Sequence, residues 1–158
     1  MGGIDETDRS LVRELVADGR ASVRGLAQRL HISRANAYAR LERLLSDGVI
    51  RGFTARVDPE KAGLATSAYV TLSIEQNAWR EVSQALRDIE YVEHFALVGA
   101  EVDVVVLVRT PDNATLRRVV LEQIQAVRGV KDTRTWLIFG EVEGRGAWRT
   151  DPPATSGN

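Results

Sequence analysis

The feature that most constrains this sequence is a pair of helical patterns separated by a very short break, within residues 22–48. Ser22 and Ser33 are suited to be the N-caps of the two helices, because a serine hydroxyl accepts a hydrogen bond from a free backbone N–H in the first turn. Gly48 suits the left-handed position that ends a helix. A short helix, a tight turn and a longer second helix are typical of a helix-turn-helix.

The second helix has two faces of different character. At about 100° per residue, Ala37, Leu41 and Leu44 fall on one side and are expected to pack on the other helices. The opposite side has small residues at its centre and polar or basic residues at its edges, namely Ala35, Ala39, Glu42 and Ser46, flanked by Asn36, Tyr38 and Arg43. Such a face can approach bases and phosphates, which predicts a recognition helix. The alternative is a solvated helix of a small helical domain.

Positive charge is concentrated in the same part of the chain. Residues 20–56 contain eight arginines against Glu42 and Asp47, a net charge of +6, whereas the whole 158-residue chain has a net charge of −1. This distribution is expected when one module contacts phosphates. The predicted DNA-contacting residues are Arg24, Ser33, Arg34, Asn36, Tyr38, Arg40, Arg43 and Arg51. For Arg40, a salt bridge to the first helix is an equal alternative.

The composition excludes several classes of protein and of site. The absence of cysteine rules out disulfides, thiolate metal sites and cysteine nucleophiles. No apolar run approaches the ~18 residues that a membrane span needs. The N-terminus does not resemble a signal peptide, and Glu6 stands where a myristoylation motif needs Ser or Thr. We expect a soluble, cytoplasmic protein with no catalytic residues, metal or cofactor.

A third helix and a boundary complete the first domain. Residues 5–18 predict a helix capped by Asp5, which supplies the partner that a helix-turn-helix needs to form a core. Residues 49–57 have β-forming residues and predict a short strand. The sequence that follows is turn material. We therefore predict a DNA-binding domain over residues 1–57 and a linker over residues 58–66.

The second half alternates strand and helix patterns in the order β-α-β-β-α-β. Strands are predicted over residues 67–74, 91–98, 103–109 and 130–142, and helices over residues 79–89 and 113–127. This order predicts a ferredoxin-like domain over residues 67–143. The fold class is therefore α+β, a three-helix helix-turn-helix domain followed by a ferredoxin-like domain. Residues 144–158, rich in Gly, Pro and Ser, predict a disordered tail.

Spaced residues in both halves follow the pattern of a known family. The N-terminal ones are Ile4, Asp5, Asp8, Leu11, Val12, Leu15, Gly19, Arg20, Leu26, Ala27, Ile32, Ser33, Arg40, Leu41, Leu44, Gly48, Val49, Ile50, Gly52 and Phe53. The C-terminal ones are Asp103, Pro111, Asp112, Gly129, Val130, Thr133 and Thr135. By their order and spacing the chain resembles the Lrp/AsnC (feast/famine) transcription regulators. His31 and Ala100 stand where that family usually has glycine.

The resemblance implies a division of labour between the two domains. The first would bind double-stranded DNA at a pseudo-palindromic operator. The second, the family's RAM domain, would form a homodimer or a higher homo-oligomer, up to an octamer, and bind a small-molecule effector, an amino acid or a related metabolite. The implied effector-contacting residues are Gly99, Ala100, Glu101, Asp103, Thr133 and Thr135. The alternative for residues 99–103 is a tight surface turn with solvated acids.

Self-association is also expected from the strand over residues 103–109. Both of its faces are apolar, so the sheet has more apolar surface than two short helices cover, and the uncovered face predicts a second subunit. Two other functions stay open. One is an enzyme like the sirohaem decarboxylases, for which only His31 and His94 are available. The other is a metabolite-binding assembly module without DNA function, against which the complete first half argues.

Overall fold

The computed structural model describes residues 3–99, 101–142, 144, 146 and 148. The chain forms two compact units, one of Met1–Arg56 with Val142–Asn158 and the other of Val57–Glu141. Within the described residues, no helix combines the length and the apolar character needed to cross a membrane.

The N-terminal unit contains the three predicted helices, α1 (Glu6–Ala17), α2 (Val23–Arg29) and α3 (Arg34–Ser46). Their caps follow the local sequence. Ser22 Oγ accepts from the Gly25 N–H at 3.0 Å, and Ser33 Oγ accepts from the Asn36 N–H at 3.1 Å. The turn between α2 and α3 places His31 at φ 53°, a left-handed conformation that costs a non-glycine residue about 1–2 kcal/mol.

The first helix begins with a reciprocal pair of side-chain hydrogen bonds. Asp5 accepts from the Asp8 N–H at 2.8 Å, and Asp8 accepts from the Asp5 N–H at 3.0 Å. This capping box satisfies two backbone donors that the first turn would otherwise leave unpaired. It also places the Asp8 carboxylate at the inner edge of α1, where its side chain is 1% exposed.

The core of the N-terminal unit draws on both ends of the chain. It consists of five buried side chains, Leu11, Val12, Leu15, Leu26 and Leu44. Trp148 packs against this cluster, together with Ile50 and other partly buried residues. Trp148 falls within residues 144–158, the segment predicted to be disordered, of which residues 149–158 lie outside the described part of the chain.

Residues 49–57 differ from the prediction, because no strand forms there. The segment is largely exposed, with Val49, Phe53 and Val57 44%, 53% and 67% exposed. A strand requires a neighbouring strand to which its backbone N–H and C=O groups can bond. Among the described residues none pairs with this segment, so its β-forming side chains do not produce a strand in a single chain.

The C-terminal unit has the predicted ferredoxin-like fold. Its elements are β1 (Thr66–Ile74), α4 (Trp79–Asp88), β2 (Val92–Leu97), β3 (Val104–Thr110), α5 (Asn113–Arg118) and β4 (Val130–Leu137). The four strands form one antiparallel sheet in the order β2-β3-β1-β4. After α5 the chain widens into a π-helical segment, Val119–Ile124, which the sequence pattern did not predict.

Helices cover one face of this sheet. Val70 and Leu72 of β1 and Val104, Val106 and Val108 of β3 are completely buried beneath them. Gly129, which precedes β4, has φ +93°, and a Cβ on it would lie 2.6 Å from Ala78 Cβ. Only glycine fits there without rearrangement.

The last strand is shorter than the predicted 130–142 and ends at Leu137, which pairs with Ala68 of β1. The Ile138 N–H still donates to the Ser67 carbonyl at 2.9 Å. Beyond it Phe139 and Val142 are 97% and 98% exposed. In this register Thr66, the first residue of β1, lies opposite Phe139, so the strand predicted over residues 140–142 has no partner on β1.

Candidate nucleic-acid interface and effector loop

The two faces of α3 have the predicted burial. Ala37 and Leu44 are buried in the helical core. Ala35, Ala39, Glu42 and Ser46 are all exposed on the opposite side. The small side chains at the centre of the exposed face leave the backbone of α3 open to close approach.

One flank of α3 is engaged by α1. Arg40 Nη1 lies 2.7 Å from both Asp5 Oδ2 and Asp8 Oδ1, and Arg43 Nη2 lies 2.6 Å from Asp8 Oδ2. Arg40 Nε also donates to Asn36 Oδ1 at 2.9 Å. Of the two alternatives for Arg40, the structure has the salt bridge to the first helix. Three predicted DNA contacts, Asn36, Arg40 and Arg43, thus belong to one network that joins α1 to α3.

This network explains the ionisation of Asp8. Burial opposes the charged form, but hydrogen bonds from the Arg43 guanidinium, the Asp5 backbone N–H and the Arg40 guanidinium favour it. Together they lower the pKa of Asp8 to about 2. The hydrogen bonds from Arg40 to Asp5 and Asp8 in turn raise the pKa of the Arg40 guanidinium above its ordinary value. Asp8 is therefore a fixed negative charge that holds two arginines of the recognition helix.

The other flank of α3 is open. Tyr38 is 58% exposed, and Arg34 is exposed in the first turn. Arg24 and Arg51 are exposed as well, and within the described residues neither they nor Arg34 form an ion pair. An arginine without an intramolecular partner can bind a phosphate without first breaking an ion pair. The predicted contacts on α3 therefore divide into an engaged flank, with Asn36, Arg40 and Arg43, and an open flank, with Arg34 and Tyr38.

In the predicted effector loop, Asp103 has a structural role that the sequence pattern did not indicate. Its Oδ2 accepts from the Ile74 N–H at 2.8 Å, and its own N–H donates to the Leu72 carbonyl at 2.9 Å. Asp103 thus joins β3 to the end of β1. Glu101 is exposed, Gly99 has no atom within 4 Å of an added Cβ, and Ala100 lies outside the described residues.

A small cavity of about 60 Å³ lies beside this loop. It is lined by Thr71, Ser73, Glu101, Val102, Asp132 and Arg134. Carboxylates and a guanidinium therefore border the same space, with Arg134 Nε 3.8 Å from Asp132 Oδ2. Of these six residues only Glu101 was among the predicted effector contacts. Period-two alternation along β1 and β4 places four of the others, Thr71, Ser73, Asp132 and Arg134, on one face of the sheet.

Thr133 and Thr135 lie on the other face of the sheet. They pair with Leu72 and Val70, which are buried under the helices, and cross-strand pairs share a face. Thr133 Oγ1 accepts from Gln125 Nε2 at 2.7 Å. The structure therefore does not bring these threonines together with Glu101.

The uncovered face of the sheet carries exposed aromatic side chains. Tyr69 and Trp136 are directly paired and are 39% and 61% exposed. On the same face Arg109 contacts Ser67, Glu93 and Glu141, with Arg109 Nη1 2.7 Å from Glu141 Oε2. The hydrogen bond between Arg109 and Glu141 raises the pKa of the arginine and lowers that of the glutamate.

Models of known protein families match residues in each of the two units. A winged helix-turn-helix DNA-binding model matches residues 4–51, and the Lrp/AsnC ligand binding domain model matches residues 67–148. The chain is 31% identical to an uncharacterised HTH-type transcriptional regulator of Pyrococcus abyssi over 85% of each chain. It is 32% identical to the proline dehydrogenase transcriptional activator of Rhizobium radiobacter, over 90% of this chain and 94% of that one.

A solved structure gives the same assignment. The Mycobacterium tuberculosis leucine response regulatory protein superimposes with a TM-score of 0.80 at 34% identity, covering 95% of this chain and all of that one. In the described residues, no group of three or more histidine, aspartate or glutamate side chains is placed to share a metal ion.

Proposed function

The chain belongs to the Lrp/AsnC family of transcriptional regulators, and we propose that it binds specific operators through the open flank of α3. We also propose that it responds to an amino acid at the small cavity that Glu101 and Arg134 border. The observation that carries the DNA proposal is the division of α3 into two flanks. The flank with Tyr38 and Arg34 is exposed and lacks ion pairs within the described residues, whereas Arg40 and Arg43 are held by Asp8. We further propose that the chain has regulatory and no catalytic activity.

The open flank leads to the first prediction. Replacing Tyr38 with alanine is expected to reduce operator affinity by about 1–3 kcal/mol and to relax sequence preference, because an exposed side chain on this face can contact a base edge. Arg24→Ala is expected to weaken binding to operator and random duplexes alike and to flatten the salt dependence. Gel shifts at several salt concentrations measure both effects.

Arg87→Ala is the control for loss of charge, since Arg87 is exposed on α4 of the other unit. Unchanged affinity and unchanged preference in Tyr38→Ala would contradict the face assignment. Asn36→Ala is expected to act mainly through the Arg40 network and not through a base contact.

The effector proposal depends on a second copy of the chain. A cavity of about 60 Å³ is too small for an amino acid, since ligand sites usually enclose about 300–1,000 Å³. The exposed Tyr69 and Trp136 on the uncovered sheet face favour association of copies. We therefore propose a dimer or larger assembly in which a neighbouring chain completes the site, with Arg134 receiving the ligand carboxylate and Glu101 its ammonium group.

The second prediction tests this arrangement. Glu101→Gln and Arg134→Gln are each expected to abolish an effector response that changes operator affinity by about 5- to 150-fold, while ligand-free DNA binding stays nearly intact. Asp103→Ala is expected to abolish the response too, because it removes the hydrogen bond that joins β3 to the end of β1. Calorimetry with each of the twenty amino acids measures binding, and light scattering measures assembly. A monomer that gives no heat with any of them would contradict the proposal.

A further inference from the structure

Glu42 lies at the centre of the exposed face of α3. Its carboxylate forms no hydrogen bond or ion pair with any described residue. Arg43, the next residue, is turned to Asp8. Ala39 and Ala35, one and two turns away, are small and exposed, so Glu42 is the longest side chain along the middle of this face.

An unpaired carboxylate is an unfavourable neighbour for DNA unless it accepts a hydrogen bond from a base. Duplex DNA carries about one negative charge per 1.7 Å of its axis, so a second anion lowers affinity for every sequence. In the major groove the donors are the amino groups of cytosine and adenine. Adenine also presents its N7 acceptor beside that amino group, which repels a carboxylate, whereas cytosine presents no acceptor of its own there.

We propose that Glu42 is a specificity-determining residue that accepts a hydrogen bond from the amino group of a cytosine in each half-site of the operator. The inference rests on the proposed DNA-binding function and adds the base that the recognition helix contacts. Ala35 and Ala39 make the approach possible, because neither side chain extends far enough to hold the helix away from the base edges. Glu42 thereby selects against sequences that offer it no donor.

The experiment selects bound sequences from a randomised duplex pool, using the full chain and its Glu42→Gln and Glu42→Ala variants. The unmodified protein is expected to enrich cytosine at one position of each half-site. Glu42→Gln is expected to change the preference at that position to adenine, because an amide both donates to N7 and accepts from N6. The change is expected to be about 5- to 150-fold in relative affinity for the two bases. Glu42→Ala is expected to lose the cytosine preference and gain none.

Affinity for random duplex separates base recognition from simple repulsion. Both variants remove a negative charge and are expected to bind random DNA more tightly, while the ratio of operator to random affinity falls. Glu122→Gln, the same change at an exposed residue of the other unit, is expected to alter neither quantity. An equal rise for operator and random DNA in Glu42→Gln would overturn the inference and leave the proposed function intact. Failure of the unmodified protein to bind any duplex in a salt-dependent manner would overturn both.

Discussion

Replacing Asp8 with asparagine is expected to lower the free energy of unfolding of the N-terminal unit by about 3 kcal/mol, as is typical when one member of a buried ion pair is removed. Asp8 is 1% exposed and bonds to both Arg40 and Arg43. An asparagine has no charge with which to hold two guanidinium groups. Arg40 and Arg43 are 21% and 41% exposed and can reach solvent, which keeps the loss at the lower end of the usual range.

The same residue makes stability depend on pH in a defined direction. The folded-state pKa of Asp8 is about 2, below its ordinary value of 3.8. The stabilisation is therefore fully present above pH 3.8 and is lost as the pH falls through about 2. A shift of this size corresponds to about 2 kcal/mol. In Asp8→Asn, the free energy of unfolding is expected to lack the change with pH that protonation of Asp8 causes.

Urea unfolding of the full chain, followed by circular dichroism at several pH values, measures both effects. Glu6→Gln is the matched control, because Glu6 lies in the same first turn and forms ion pairs with Arg9 and Arg13 but is 73% exposed. It is expected to cost at most about 1 kcal/mol. If the two variants lost equal free energies of unfolding, the network between α1 and α3 would contribute no more to stability than an exposed ion pair does.

Replacing Gly129 with alanine is expected to destabilise the C-terminal unit by about 2–6 kcal/mol. A φ of +93° costs any other residue about 1–3 kcal/mol. The added methyl group would also lie 2.6 Å from Ala78 Cβ, and relieving such overpacking costs about 1–3 kcal/mol more. Ala78 precedes α4, so relief of the clash requires that this helix move away from the sheet.

Two other glycines separate these causes. Gly63 has φ +89° but no atom within 4 Å of an added Cβ, so Gly63→Ala reports backbone strain alone. Gly99 has equally open surroundings, so Gly99→Ala is expected to be nearly neutral. Thermal unfolding of the three variants measures the difference. If Gly129→Ala and Gly63→Ala had the same effect, the close packing against Ala78 would be of no energetic consequence.

Features of the fold that depend on nearby residues were predictable from the sequence. The hydroxyls of Ser22 and Ser33 bond to an N–H three residues along the chain, and Gly48 adopts its left-handed conformation within a single turn. The apolar pattern of residues 103–109 predicted a strand of the sheet, and it forms as β3 with Val104, Val106 and Val108 buried. These patterns depend on local geometry, which is set by residues a few positions apart within one segment.

Features that depend on a distant partner were not predictable in the same way. Helical spacing places Arg40 and Arg43 on one flank of α3, but their contact with Asp8 connects residues 32 and 35 positions apart. The strand predicted at 49–57 and the predicted extension of β4 have suitable residues but no partner strand among those described. Asp103 bonds to the end of β1, which no spacing within its own loop could indicate.

The position of Trp148 bears on the order in which this protein is completed on the ribosome. Translation at about 5–20 residues per second delivers Trp148 roughly 5–20 s after Arg56. The helices of the N-terminal unit therefore emerge early, whereas the side chain that packs against their core is made only after the whole of Val57–Glu141. On the nascent chain, the core of the DNA-binding unit is therefore completed only after the other unit has been synthesised.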